Sequence, residues 1–194
     1  MDKEEIIKFV REMKATDHVI MFYSEPEDKH LVLFAYLKAG LDQGAAAAYV
    51  AGQETPEEIR EGMRRFGVDV ERFEKSGALR VIDHWDWYIV GGSFDISRTM
   101  EMWKKLYDEA LARGFKGLRV TGEMACFFEN GMVKELIEYE KALHRALELP
   151  ITAICAYDSN VVAKQGRGEL FLDLIKAHRT VILTGPQGGV VSSY

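Results

Sequence analysis

The chain has 194 residues, of which 25 are basic and 31 acidic, so its net charge is −6. Its length allows one domain with a sizeable core, and its 47% hydrophobic and 29% charged residues exclude a disordered protein. The negative charge argues against direct nucleic-acid binding or binding to an anionic membrane, and no apolar run approaches the ~20 residues of a spanning helix.

Hydrophobic periodicity predicts alternating helices and strands along the first half of the chain. A helix at residues 3–14 buries one face, and a strand at 18–23 follows it. Ser24 and Glu27 have the spacing of a capping box, which predicts the start of a long apolar helix that ends near residue 42. Further predicted elements are a small-residue strand at 45–51, helices at 56–67 and 69–75, and a strand at 78–83.

The second half continues the same alternation and contains two loops with several aromatic residues, at 84–93 and 122–130. The other predicted elements are helices at 94–113, 131–147 and 168–177 and strands at 117–121, 151–157 and 179–183. We expect the Gly- and Ser-rich tail at 184–194 to be flexible. The alternation predicts an α/β fold, a three-layer α/β/α domain with a mostly parallel sheet, formed by residues 1–194 with an N-terminal helix at 1–15.

Ligands of parallel sheets bind outside the carboxyl ends of the strands, which directs attention to the segments that follow each strand. The first of these carries Glu25, Glu27 and Asp28 at a predicted helix start, where a nucleotide-binding protein would place a phosphate. Carboxylates repel phosphate, and we expect no lysine to offset their charge. We therefore expect weak or no nucleotide binding there. His18 and His178 begin strands and should lie at the opposite edge.

From Val19 to Asp83 the pattern resembles the RecA-type, KaiC-like P-loop ATPases. The shared features are a strand, a long apolar helix that ends in Leu37–Leu41, the strand Ala48–Val50, Glu54, and the strand that ends at Asp83. However, the chain contains no Gly-x-x-x-x-Gly-Lys-Ser/Thr motif. The resemblance therefore implies the RecA/KaiC-like topology without a functional P-loop.

A second resemblance, over residues 16–183, is to the MEDS family, the methanogen/methylotroph, DcmR-type sensory domain. The residues that carry it are Asp17-His18, Phe22-Tyr23, Gly40-Leu41, Gly117-Leu118-Arg119, Gly122-Glu123-Met124, Tyr139-Glu140 and Ala153–Asp158. This resemblance implies a non-catalytic sensor of a small organic molecule, a simple hydrocarbon derivative, in an archaeal or bacterial protein. It also implies a histidine kinase or transcription regulator as partner, because the chain is too short to contain either.

Nine residues on or near the predicted ligand edge are candidates for ligand binding. They are Tyr23, Glu54, His84, Trp85, Trp87, Arg119, Glu123, Cys126 and Tyr157. Glu54 has an alternative role in the capping region before the next helix. Arg119 lies inside an apolar strand and needs a partner; it forms either an ion pair with Glu123 or Glu54, or a polar anchor for the ligand.

No catalytic residue, metal site or cofactor is expected. The set Cys126, Cys155, His84 and His178 lacks the spacing of a zinc site. Two cysteines do not make a disulfide framework. We expect Cys155 to be a small buried hydrophobic residue and Cys126 to be the more reactive thiol. The charged N-terminus has no secretory apolar region, so we expect a cytoplasmic protein.

Two other functions stay open at this point. One is a degenerate KaiC-like ATPase, nucleotide-binding protein or other enzyme that uses Glu54, Glu123 and Cys126. The other is a ligand-free assembly subunit, a homo-oligomer whose interface is the tryptophan loop at 84–93.

Overall fold

The computed structural model describes residues 2–145 and 150–193, and its strands form one large sheet and one small hairpin. The strands are β1 His18–Tyr23, β2 Ala46–Ala51, β3 Leu79–Asp83, β4 Ile89–Val90, β5 Ser93–Phe94, β6 Leu118–Glu123, β7 Ile151–Asp158, β8 Thr180–Gly185 and β9 Gly188–Ser193. The large sheet has the order β3-β2-β6-β7-β1-β8-β9, and the small one pairs β4 with β5.

Helices cover both faces of the large sheet. They are α1 Lys3–Glu12, α2 Pro26–Asp42, α3 Pro56–Phe66, α4 Val70–Ser76, α5 His84–Trp87, α6 Ile96–Ala112, α7 Ala125–Glu129, α8 Val133–Arg145, α9 Ser159–Ala163 and α10 Glu169–Lys176. Helices α1–α4 pack on one face, which we call the α2 face. Helices α5–α10 pack on the other, which we call the α8 face. Among the described residues, no helix combines the length and the apolar character needed to cross a membrane.

All pairings in the large sheet are parallel except β8 with β9. The predicted three-layer α/β/α architecture with a mostly parallel sheet is therefore confirmed. Every residue of β1, β2 and β6 is buried, as is typical of parallel strands covered on both faces. The small-residue segment 45–51 is indeed a strand, β2, and its residues belong alternately to the cores of the two faces.

The start of α2 differs from its prediction. Glu25, not Ser24, is the N-cap residue, and no side chain caps the helix there. Pro26 occupies the first helical position because its fixed φ suits that position and it has no N–H to satisfy. Ser24 therefore lies outside the helix, and its carbonyl accepts a hydrogen bond from Asn160 Nδ2 at 3.4 Å. The predicted capping box is wrong.

Both aromatic loops, at 84–93 and 122–130, contain regular secondary structure. In the first, Asp83 caps the short helix α5, and the hairpin β4–β5 follows. In the second, β6 continues to Glu123 and α7 follows directly. These additions matter because they turn most of the loop aromatic residues toward the core.

The expectation of a flexible tail is wrong for residues 188–193. They form β9, which pairs antiparallel with β8 from Gly185↔Gly188 to Thr180↔Ser193. Pro186 and Gln187 form the two-residue connection, a length typical of hairpins. Val191 packs against the core of the α2 face, so the tail completes the sheet edge.

Candidate functional site

A buried lysine joins two carboxylates at the carboxyl edge of the sheet, on the α2 face. Lys29 Nζ lies 2.5 Å from Glu54 Oε2 and 2.6 Å from Glu123 Oε1. The side chains of Lys29 and Glu123 are 2% and 0% exposed, whereas that of Glu54 is 25% exposed. We call Lys29, Glu54 and Glu123 the lysine bridge. With one cation and two carboxylates, it carries a net charge of −1.

Glu123 receives donors on both carboxylate oxygens. Oε1 accepts hydrogen bonds from Lys29 and from the Tyr49 hydroxyl, the latter at 2.6 Å. Oε2 accepts from the backbone N–H groups of Gly52 and Gln53, at 2.8 and 2.6 Å. Charge-assisted bonds of this kind are the strong ones. Glu123, at the end of β6, therefore fixes the loop that connects β2 to α3.

Glu54, in that same loop, is the solvent-facing member of the bridge. His30 Nε2 lies 2.7 Å from the oxygen of Glu54 that contacts Lys29. Partial burial alone would raise the pKa of Glu54, but the hydrogen bonds with His30 and Lys29 outweigh it and lower that pKa to about 2. Glu54 is consequently ionised at any physiological pH.

Tyr23, at the end of β1, completes the polar edge. Its hydroxyl donates to Gln53 Oε1 at 2.5 Å, and Gln53 Nε2 donates to Asp158 Oδ2 at 3.1 Å. Burial, followed by the nearby Glu123 charge, raises the pKa of Tyr23, so its hydroxyl stays protonated and acts as a donor. Gln53 is exposed and Asp158 half-buried, which makes them the rim of this edge.

Lys29 is not among the nine candidates; in the sequence it directly follows the acidic cluster Glu25–Asp28. It lies one turn inside α2, where the side chain reaches back toward the helix start and under the β2–α3 loop. A lysine in a helix that is apolar on most sides was the available signal. The expectation that no lysine offsets the acidic residues is also wrong, because Lys3 Nζ lies 2.5 Å from Asp28 Oδ1.

Arg119 lies away from the lysine bridge, at the other end of β6. Its guanidinium donates to four backbone carbonyls, those of Val10, Arg11, Met13 and Tyr36, at 2.9 to 3.2 Å. It also stacks on the Tyr36 ring, 5.2 Å from the ring centre. Neither Glu54 nor Glu123 is its partner, so the expected ion pair is wrong. Arg119 caps the end of α1 and ties it to α2 and the sheet.

The remaining aromatic candidates lie on the opposite face of the sheet. Trp87 packs on Trp103 with ring centres 4.5 Å apart, and Tyr157 donates its hydroxyl hydrogen to Glu140 Oε1. Both belong to the core of the α8 face. Cys126 is buried as well, and burial, with the nearby Glu129 charge, raises the pKa of its thiol to about 12. A reactive thiolate does not fit that environment.

His84 and Trp85 stand at the ligand edge, beside the β2–α3 loop. His84 Nδ1 lies 3.2 Å from the carbonyl oxygen of Ala51, the last residue of β2. The ring of Trp85 lies 4.6 Å from that of His84, and Trp85 is 50% exposed. Five of the nine candidates therefore lie at this polar edge, namely Tyr23, Glu54, Glu123, His84 and Trp85. Trp87, Cys126 and Tyr157 are buried in the core of the α8 face, and Arg119 lies at the other end of β6.

A second cluster of polar side chains lies buried on the α8 face. Donor atoms of His18, Glu140, Cys155 and His178 are all within 4.8 Å of one another, and all four residues are buried. His18 and His178 lie at the starts of β1 and β8, as expected for the edge opposite the carboxyl ends. The set shares only Cys155 and His178 with the metal set considered in the sequence, because His84 and Cys126 lie at the other edge.

Comparisons with known proteins agree with this architecture. The profile of the MEthanogen/methylotroph, DcmR Sensory domain family, MEDS, matches residues 17–179. A UPF0273 protein from Aeropyrum pernix is 36% identical over 55 residues, which are 28% of this chain and 22% of that protein. The chain thus covers about a fifth of that curated relative.

The fold also has a solved neighbour. The crystal structure of a KaiC-like protein from the hyperthermophilic archaeon Pyrococcus horikoshii OT3 superimposes with a TM-score of 0.66 at 17% identity. The superposition covers 92% of this chain and 80% of that one. At this identity the likeness shows a shared KaiC/RecA-like fold.

Proposed function

Because the chain belongs to the MEDS family of sensory domains, we propose that it is a non-catalytic domain that binds a small organic molecule at the carboxyl edge of its sheet. The bound state is passed to a partner, for which a histidine kinase or a transcription regulator is our expectation. The proposal places this signalling in the cytoplasm.

One observation carries the proposal: Lys29, near the start of α2, is already paired with Glu54 and Glu123. A phosphate-binding site needs a cation and free N–H groups that face the anion. Here an incoming phosphate would have to displace two carboxylates and leave Glu123 buried without its cation, which is costly. The edge favours a neutral or cationic ligand over a nucleotide.

The rim supplies contacts suited to a small hydrocarbon derivative. Gln53 and Glu54 offer hydrogen-bonding groups, and the half-exposed ring of Trp85 offers an apolar surface. A ligand with one polar group and a short hydrocarbon part satisfies both. Gln53 is hydrogen-bonded to Glu123 of β6, and Glu54 is hydrogen-bonded to Lys29 of α2. A ligand that contacts the rim is therefore connected to the sheet and to the longest helix on that face.

The proposal is tested by a thermal-shift screen with short alcohols, halocarbons, carboxylic acids and amines. We expect a saturable rise in the melting temperature for at least one class of compound. The rise should be lost in Trp85→Ala and in Glu54→Gln. Leu172→Ala, a 56% exposed residue of α10 on the opposite face, should keep it. No shift with any class, or a shift that both rim variants retain, would overturn the proposal.

A nucleotide-binding role is the second candidate, and one observation favours it: the chain has the KaiC-like fold with a lysine near the start of α2 and Glu54 directly after β2. If nucleotide displaced the carboxylates from Lys29, binding would depend on magnesium and on Lys29. That dependence separates it from binding at the rim.

A further inference from the structure

We propose that His18, Glu140, Cys155 and His178 bind a zinc ion in a buried four-coordinate site on the α8 face, at the edge opposite the lysine bridge. The four residues come from β1, α8, β7 and the connection between α10 and β8. The inference goes beyond the sensory function and is independent of it.

Four of the six separations between the donor atoms match one tetrahedral ion, and the other two, between His178 and either His18 or Cys155, lie within 4.8 Å. Glu140 Oε2 lies 3.4 Å from His18 Nε2, 3.3 Å from His178 Nε2 and 3.4 Å from Cys155 Sγ. His18 Nε2 lies 3.4 Å from Cys155 Sγ. Ligands about 2.0 to 2.3 Å from a tetrahedral zinc are separated from one another by about 3.3 to 3.7 Å. Each of these four separations falls in that interval.

The hydrogen bond of His178 shows which of its nitrogens is free to bind a metal. Nδ1 lies 2.8 Å from the carbonyl oxygen of Leu174. A carbonyl only accepts, so Nδ1 carries the hydrogen and Nε2 of the neutral ring carries a lone pair. That Nε2 is buried, has no hydrogen-bond partner among the described residues, and faces Glu140 Oε2. Two lone pairs directed at each other are unfavourable unless a proton or a metal ion lies between them, and a metal ion would also engage His18 and Cys155.

Neighbouring groups orient two of the four ligands, His178 and Glu140. The Leu174 carbonyl holds the His178 ring, and the Tyr157 hydroxyl donates to Glu140 Oε1, which leaves Oε2 directed at the other three donors. Partners of this kind fix the tautomer and the orientation of first-sphere ligands.

The charges also balance. A histidine ligand of zinc must be neutral, and a cysteine ligand must be deprotonated. Without metal, the Cys155 thiol donates its hydrogen to Glu140 Oε2. On binding, zinc takes the place of that proton, which leaves as H⁺. One Zn²⁺, one thiolate and one carboxylate sum to zero, so the loaded site is an uncharged group in the core.

Four protein ligands leave no open position, which is typical of structural rather than catalytic zinc. The ion would join the centre of the sheet, at β1 and β7, to α8 and to the start of β8. Its expected effect is on stability.

The test is the metal content of the full chain purified from zinc-supplemented cells, measured by plasma mass spectrometry. We expect about one zinc per chain, and a melting temperature that falls by several degrees when the protein is unfolded and refolded with a chelator. Cys155→Ala and His178→Gln should retain less than a tenth of the zinc. Cys126→Ser and His84→Gln, which change a buried cysteine and a buried histidine at the other edge, should retain all of it.

Cobalt provides a readout that does not depend on how well the variants fold. Refolding the natural chain with Co²⁺ should produce a thiolate-to-cobalt absorption band and the visible bands of tetrahedral cobalt. Zinc-free natural protein that neither binds zinc on refolding nor gives the cobalt bands would overturn the proposal, and so would equal zinc content in Cys155→Ala and Cys126→Ser.

Discussion

Replacing Arg119 with methionine is expected to lower the free energy of unfolding by about 3 kcal/mol or more, through the loss of charge-assisted hydrogen bonds to buried carbonyls. Two of the four acceptors, the carbonyls of Val10 and Arg11, belong to the last turn of α1, and Met13 is its C-cap residue. Such carbonyls have no partner within their own helix. Arg119 therefore replaces the intrahelical bonds that α1 lacks, and its charge also favours the negative end of the helix dipole.

The packing around Arg119 allows no simple substitute. A Cβ on Gly40 would lie 2.5 Å from Arg119 Cδ, so the arginine stem passes directly over a glycine of α2. Lysine has a point charge and no planar fork, and cannot reach the carbonyls of both α1 and α2 together. We expect Arg119→Lys to recover less than half of the lost stability.

Chemical denaturation measures this effect, and hydrogen exchange locates it. In Arg119→Met, amides of residues 2–14 should exchange much faster than in the natural chain, because α1 loses its tether. Arg65→Met, at a side chain that is 72% exposed, should change stability by less than about 0.5 kcal/mol. Equal stability of the two variants would contradict the role given to Arg119.

Replacing Lys29 with methionine has the second large expected effect, a loss of about 3 to 5 kcal/mol, the usual result of removing one partner from a buried ion pair. Glu123 keeps the Tyr49 hydroxyl and the two backbone N–H groups as donors. It nevertheless loses the only cation within the bridge. The β2–α3 loop, which Glu123 holds, should become more mobile as a result.

A double-mutant cycle measures the interaction energy between Lys29 and Glu123. In a Glu123→Gln background, Lys29→Met should cost clearly less than in the natural chain, since no buried carboxylate is then left without a cation. Lys38→Met breaks the partly exposed pair of Lys38 with Asp42 and should cost less than about 1 kcal/mol. If Lys29→Met costs no more than Lys38→Met, the lysine bridge is not the structural link described here.

Local patterns were sufficient to predict the architecture from the sequence. The apolar strands, the glycines after α3 and α4, and the Thr55–Glu58 capping box place most elements correctly. Ser24 failed as a cap because Pro26 sets where α2 begins. The tail failed because β9 is stabilised by pairing with β8, which local composition does not reveal.

The candidate site was only partly predictable, because the alternation of side chains along a strand fixes their face but not the element that each of them meets. Alternation along β6 puts Arg119 and Glu123 on one face, yet the two lie at opposite ends of β6 and meet different parts of α2, at Tyr36 and at Lys29. Trp87 and Tyr157 were assigned to the ligand edge by position alone, whereas their side chains turn into the core of the α8 face. The cluster of His18 with Glu140 depends on the strand order and on the docking of α8, and neither is visible in one sequence.

We propose that the lysine bridge has replaced the phosphate site of this fold and that the chain senses a small organic molecule rather than a nucleotide. The most direct test is calorimetric titration of the natural chain with magnesium–ATP. We predict no saturable heat of binding at millimolar magnesium–ATP, for the natural chain and for Leu172→Ala alike. Saturable binding that requires magnesium and disappears in Lys29→Met would contradict it.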